Sequence, residues 1–253
     1  FCVPHKAVSD RLIFDRRPQN ATERRLEWCH LPYGPSLCSL RLKPGEDVRC
    51  SGDDISNYFY HLELPEVLRS RSAFGRCITG QEAVDLGGNC DSKYFMIMKA
   101  WCMGDHNAVD VAQECHEGLL AQHGLLDEAR MIRYKRPLPR SNTLQGIYID
   151  DMLVLGSVPS AQVNEPVGDD AQLRVRIRDT YDKVNLPRSA NKSFTFETNF
   201  TAWGTEVRSS DGYVGAPRDK RIQLFILSML TLCLDTVNQD LFRSLLGLSL
   251  IHI

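Results

Sequence analysis

A chain of 253 residues, 43% apolar and 25% charged, is long enough for one large domain or two small ones with a real core. A net charge of −2 lends no bulk support to a nucleic-acid partner, although local patches count for more than the sum. Nine cysteines, an odd number with no CxxC pair, argue against a disulfide framework and point to reduced thiols in an intracellular protein. The chain begins at Phe1 with no legible secretory signal, and its longest apolar run, residues 222–234, is too short and interrupted to span a bilayer. The expectation is a protein neither secreted nor in a membrane. It also reads as a piece of a longer one, since it stops in the uncapped apolar stretch LLGLSLIHI.

In chain order, RLIF (11–14) reads as a strand, followed by the basic, turn-rich DRRPQNATERR. LPYGPSL and LKPGED carry Pro and Gly and read as loops. DDISNYFYHLELP ends in alternating Leu62 and Leu64, a strand signal, and a Gly- and Asp-rich loop follows at 79–91. Residues 107–124 read as an amphipathic helix with an apolar face of Val109, Ala112, Cys115 and Leu119, closed by Gly124. RMIRYKRPLPR (130–140) reads as a basic linker, and QGIYIDDMLVLG (145–156) as two strands around an acidic turn. Residues 171–184 predict a second helix with a solvated basic face. SFTFETNFTAWGTEVRSSDGYVGAP predicts two or three strands with an Asp-Gly turn at 211–212, and 222–234 a core helix. Helices mixed with antiparallel strands in this order indicate an α+β fold.

The acidic turn carries the chemistry. Adjacent carboxylates between two apolar runs are unfavourable unless something cationic meets them. Asp150 and Asp151 are therefore either an incidental acidic turn or a pair of metal ligands. DDISNYFY supplies a third carboxylate, Asp54 or its neighbour Asp53, from a distant strand end. Two divalent cations about 3.5–4 Å apart need oxygens from more than one element, and Mg²⁺ prefers such ligands. Spacing alone leaves both readings open.

The order of motifs over residues 8–230 resembles the reverse transcriptases of retroelements. RLIFDRRPQN resembles the fingers motif R-x-x-x-D-x-R-x-x-N, matched by Arg11, Asp15, Arg17 and Asn20. DDISNYFYHLELP resembles the first palm motif, with Asp54 as the metal-binding aspartate and Phe59 as the aromatic gate that excludes a ribose hydroxyl. WCMGDHNAVDVAQ resembles the template-nucleotide motif through Met103, Gly104 and Gln113, but Cys102 replaces the usual Pro and Ala108-Val109 the usual Ser-Pro. QGIYIDDMLVLG resembles the Y-x-D-D box, with Tyr148 beside the primer end and Asp150 and Asp151 at the metals. NLPRSANKSF offers Lys192 as the lysine that protonates departing pyrophosphate, and FTAWGTEVRSSDGYV resembles the primer grip, with Trp203 and Gly204 at its turn.

The resemblance implies a right-hand polymerase fold, with interleaved fingers and palm over 1–217 and the start of a truncated thumb over 218–253. It implies an RNA-directed DNA polymerase that takes two Mg²⁺ ions (or Mn²⁺), a primed RNA or DNA template and deoxynucleotides, with no membrane partner. In this reading Arg11, Phe59, Met103, Gly104 and Gln113 face the nucleotide, while Arg17, Asn20, Tyr148, Trp203 and Gly204 face primer or template. A decayed element that binds nucleic acid without turnover is the alternative, and an RNA-copying polymerase is opposed by Phe59. Cys29-His30, Cys115-His116 and His106 lack zinc spacing, TGQEAVDLGGN lacks a phosphate-loop lysine, and the NAT, NKS and NFT sequons read as chance matches.

Overall fold

The structure, a computed structural model, describes residues 2–5, 9–234, 236–243 and 245, with backbone alone for 2–5 and 9–12. Along the chain run β1 (Cys2–His5), β2 (Ser9–Leu12), α1 (Arg17–Asn20), β3 (Glu46–Asp54), α2 (Tyr58–His61), α3 (Glu66–Arg69), β4 (Ala73–Ile78), α4 (Gln81–Asp85) and β5 (Tyr94–Ile97). Then follow α5 (Ala108–Gln122), β6 (Thr143–Tyr148), β7 (Asp151–Pro159), α6 (Asp169–Lys183), β8 (Phe194–Glu197), β9 (Asn199–Ala202), β10 (Thr205–Arg208), β11 (Tyr213–Gly215) and α7 (Arg218–Leu232). Two compact units interleave in sequence: Phe1–Cys29 with Asn57–Cys115, and His30–Ser56 with His116–Ile253.

The second unit is built on an antiparallel four-stranded sheet in the order β6-β7-β3-β8, beside a three-stranded meander, β11-β10-β9. Strand β3 is covered on both faces, and its alternation says how. Val48 and Cys50 pack with Leu144, Leu155, Phe200 and Val207 in the core. Arg49, Ser51 and Asp53 point the other way, where α6 lies. That helix buries Leu173, Ile177 and Tyr181, spaced four apart as one stripe.

Burying a charge there requires full compensation. Arg49 is 0% exposed, and its guanidinium meets Asp170 at 2.7 and 3.0 Å. Its remaining donors take the carbonyls of Gln162, Val163, Glu165 and Val167, so one side chain organises the loop before α6. The Phe196 ring lies 4.0 Å from the guanidinium carbon.

The first unit contains two antiparallel hairpins, β1-β2 and β4-β5, several short helices and the start of α5. Arg16, buried, donates to Asp105 at 2.9 Å, to the Arg71 carbonyl at 2.7 Å and to Ser72. The Tyr58 hydroxyl donates to the Ala112 carbonyl at 2.9 Å.

Several expectations are corrected. The strand read at RLIF ends at Leu12, and the Leu62/Leu64 alternation yields a single bridge, Glu63 to Ala100, rather than a strand. The loop at 79–91 includes the short helix α4, and LPYGPSL leads into a 3-10 turn, Gly34–Ser39, with Leu37 buried. Helix α5 forms as expected and Gly124 has φ +64°, but Cys115 is exposed. The buried face is Ala108, Ala112, Gln113, His116 and Leu120, because polar residues whose hydrogen bonds are met can replace apolar ones. The basic linker is not free: Met131 and Ile132 are buried, and Arg133 pairs with Glu117 and Glu128. The basic face of α6 is only partly solvated, since Arg178 pairs with Asp53. The stretch 193–217 forms four strands, because β8 leaves the meander to join β3.

The helix read as a core element is α7, and none of its residues is buried; Phe225 is 65% and Leu232 79% exposed. Its apolar residues recur at helical spacing, but periodicity names a face and not what covers it. Of LLGLSLIHI, all but Leu245 lies outside the described residues. Among the described residues no cysteine is disulfide-bonded, and no helix is long and apolar enough to cross a membrane.

Replacing Arg49 by Met strands Asp170 as a buried, unpaired charge. It should destabilise the protein by about 3–5 kcal/mol in urea unfolding, with much of the loss recovered in Arg49→Met/Asp170→Leu.

Candidate active site

Asp54 ends β3 and Asp151 opens β7, and the antiparallel register sets them directly opposite. Asp151 in turn faces Tyr148 on β6. Directly opposed residues share a face of the sheet, so these three form one row across three strands. The next row is Gly52, Leu153 and Gly146. A Cβ on Gly52 would lie 2.4 Å from the Phe194 ring, and one on Gly146 would lie 2.2 Å from the Trp203 indole. The two glycines thus admit two aromatic rings onto the sheet immediately beside the carboxylate row.

The turn between β6 and β7 is Ile149–Asp150. Ile149 has φ +57°, a left-handed conformation that a β-branched side chain disfavours. Both turn carbonyls are held. Ile55 N–H donates to Asp150 O at 2.9 Å, and His116 Nδ1 lies 2.7 Å from Ile149 O. The His116 imidazole is fully buried, and burial lowers its pKa to about 4, which keeps it neutral.

Burial, reinforced by Asp150 and then Asp54, raises the Asp151 carboxyl to about 6, while Lys192 pulls it the other way. Lys192 Nζ is ion-paired with Asp54 Oδ2, and that bond leads the upward shift of the lysine. The lysine turn is tied to the same strand end, with Ser189 N–H donating to Asp54 O at 2.8 Å and Lys192 N–H to Ser189 O at 3.1 Å. Asp53 lies on the opposite face, where Arg178 grips both its oxygens at 2.6 and 2.8 Å. Of the two candidates in DDISNYFY, Asp54 is therefore the one that shares the row with the acidic turn.

As the side chains stand, no three acidic, His or Cys groups among the described residues are set to hold a metal ion. The donor set still fits a hard divalent cation. All three groups are carboxylates, one is driven toward protonation by burial and by the other two, and an ammonium stands among them as counter-charge.

Trp203 and Gly204 form the turn between β9 and β10, with φ +48° and +78°. A Cβ on Gly204 would meet nothing, so the position needs glycine for its backbone conformation rather than for space.

In the first unit, RLIFDRRPQN and the Met103–Gly104 loop come together. Asn20 Nδ2 donates to Gly104 O at 2.9 Å, His106 N–H donates to Asn20 Oδ1 at 3.3 Å, and Phe14 N–H donates to Met103 O at 3.2 Å. Gly104 has φ +115°, and a Cβ there would sit 2.2 Å from Phe14 O. Arg17 pairs with Asp15 in solvent. A cavity of about 380 Å³ beside them is lined by Phe14, Asp15, Arg16, Gln19, Phe74 and Cys102 among others. Phe59 is half-buried on α2, and Met103 is half-buried in its loop. Gln113, read as facing the nucleotide, is 1% exposed inside α5, where its side chain is enclosed by protein. Arg11 lies on β2, and its side chain falls outside the described residues. Sequence reasoning missed Arg16, His116 and Arg178, each polar and each hydrogen-bonded to partners distant in the chain.

No family model and no curated protein matches the sequence. Among solved structures, the chain is similar to a foamy viral protease-reverse transcriptase (the dRH form) in complex with double-stranded DNA. The TM-score is 0.62 at 14% identity, over 98% of this chain and 34% of that one. A foamy viral protease-reverse transcriptase in complex with an RNA/DNA hybrid gives a TM-score of 0.57 at 14% identity, over 98% of this chain and 26% of that one. The chain thus spans about a third and about a quarter of those proteins. Its fold is that of a reverse transcriptase-like polymerase domain, the fingers-and-palm class.

Asp151 binds its proton more tightly folded than unfolded. Stability should therefore fall as pH rises from the ordinary 3.8 towards about 6, with the full loss present above that value. In chelator-treated buffer, Asp151→Asn should be more stable than the parent at pH 7.5, by on the order of 1 kcal/mol after solvent screening, with the advantage gone near pH 4. Urea unfolding at the two pH values measures it.

Proposed function

We propose that this chain is the fingers-and-palm portion of a retroelement RNA-directed DNA polymerase, which adds deoxynucleotides to a primer 3′-hydroxyl. The observation that carries the reading is the row of Asp54 against Asp151, with Asp150 beside them, on a reverse transcriptase-like fold. Residues 1–217 are assigned to interleaved fingers and palm, and α7 to the start of the thumb.

Asp54, Asp150 and Asp151 would hold two Mg²⁺ ions, or Mn²⁺. When bound, these supply Lewis-acid activation of the primer hydroxyl and charge neutralisation at the triphosphate. The protein's own groups do the rest. The carboxylates present oxygens from two strand ends, so primer and triphosphate meet in one orientation. Lys192, whose upward-shifted pKa keeps it protonated, carries at Nζ the proton that leaving pyrophosphate requires. Tyr148 and the Trp203–Gly204 turn steady the primer end. Arg11 meets the triphosphate, Phe59 closes the space a 2′-hydroxyl needs, and the Asn20-braced Met103–Gly104 loop, with Arg17, supports nucleotide and template.

Primer extension on an RNA template with Mg²⁺ and deoxynucleotides tests this. Extension is expected from the parent and should be abolished in Asp150→Asn/Asp151→Asn. Binding of primer-template without extension by the parent would instead favour a decayed element. Phe59→Val should increase ribonucleotide incorporation by roughly tenfold or more, as expected when a steric exclusion is lifted. An unchanged sugar preference removes Phe59 from that role.

A further inference from the structure

His116 is buried and has no part in the chemistry above. Its ring bridges two elements. Nδ1 lies 2.7 Å from the carbonyl of Ile149, in the turn that carries the acidic pair, and Nε2 lies 2.6 Å from the hydroxyl of Tyr181 on α6. The partners fix the tautomer. A carbonyl can only accept, so Nδ1 carries the hydrogen, and the neutral ring then accepts from Tyr181 O–H through Nε2. The bond falls on the one residue of the turn in a left-handed conformation, and that residue is an isoleucine. Such a conformation persists only where the surroundings over-determine it. The neighbouring Asp150 carbonyl is held from the other side by Ile55 N–H, one residue beyond Asp54.

We propose that His116, aimed by Tyr181, is a positioning residue whose Nδ1–H holds the Ile149 turn and so presents Asp150 and Asp151 against Asp54. The proposal rests on the polymerase reading of those carboxylates. It adds a group, reached through the backbone of the turn, that sets their geometry without touching substrate.

Two measurements test it. ¹⁵N NMR of the full chain reads the hold without reference to activity. The Nδ1–H tautomer is expected for His116, and the Nε2–H tautomer overturns the proposal. The second compares side chains. Asn at 116 sets its amide nitrogen where Nδ1 stood, whereas Gln sets it where Nε2 stood. His116→Gln should lose about 10–100-fold in kcat and in Mn²⁺ affinity measured by EPR, with little change in the nucleotide KM. His116→Asn should recover most of that loss. Tyr181→Phe, which removes one hydroxyl and keeps the core filled, should lower kcat by a smaller factor. Equal losses in the Asn and Gln variants would mean that the site needs only packing, and the proposal fails. A parent chain that neither extends a primer nor binds Mn²⁺ sinks the polymerase reading instead. In that case the Ile149 NMR shifts still decide: displaced in His116→Gln they support the hold, and unmoved they overturn it.

Discussion

The register of β7 against β3 is the constraint on which the site depends. A slip of one residue would send every side chain of β7 to the opposite face, taking Asp151 away from Asp54 and pushing Leu153 and Leu155 out of the core. Two glycines of the β6-β7 hairpin oppose the slip. Gly146 lies under Trp203, while on the other face a Cβ at Gly156 would stand 2.4 Å from the Asp170 carboxyl carbon. In any other register a side chain would meet one of these groups. The contacts that pin the strands and those that place the carboxylates are therefore one set.

The back of the same sheet explains why so polar a strand is buried. EDVRCSGDD has few apolar residues, yet seven of its nine positions are buried. Each buried polar group on the α6 side has a partner: Arg49 takes Asp170 and a ring of carbonyls, Ser51 Oγ accepts from Phe196 N–H, and Asp53 takes Arg178. Directional pairs of this kind tolerate little displacement, so α6 and β3 are held in one relative position. The end of β3, and with it Asp54, inherits that position.

Local patterning made much of this legible. The two apolar runs on either side of Asp150 and Asp151 predicted the hairpin, the 107–124 and 171–184 periodicities predicted two helices, and Asp-Gly at 211–212 marked a turn. What escaped was decided by partners distant in the chain. Cys115 looked apolar and His116 incidental, yet the helix buries His116 and exposes Cys115, because a carbonyl and a hydroxyl wait for the imidazole. Asp53 and Asp54 are alike as letters; the motif resemblance favours Asp54, and the strand gives the physical difference, with Asp53 on the α6 side and Asp54 facing Asp151. Helix α7 shows the same limit from the apolar side, since its stripe is plain and its cover is not.

Strain and repulsion meet within four consecutive residues. Tyr148 to Asp151 contain a left-handed isoleucine and two carboxylates facing a third. Stability alone would replace Ile149 with glycine or asparagine and at least one aspartate with its amide. The chain instead gathers bonded polar groups around this turn: the Ile55 amide, the His116–Tyr181 pair and the Lys192 ammonium. A scaffold that concentrates support where the local sequence is least stable is holding a geometry it could not reach by folding preference alone. Carboxylates kept close without full compensation favour a cation beside them, which is the chemistry proposed for this turn.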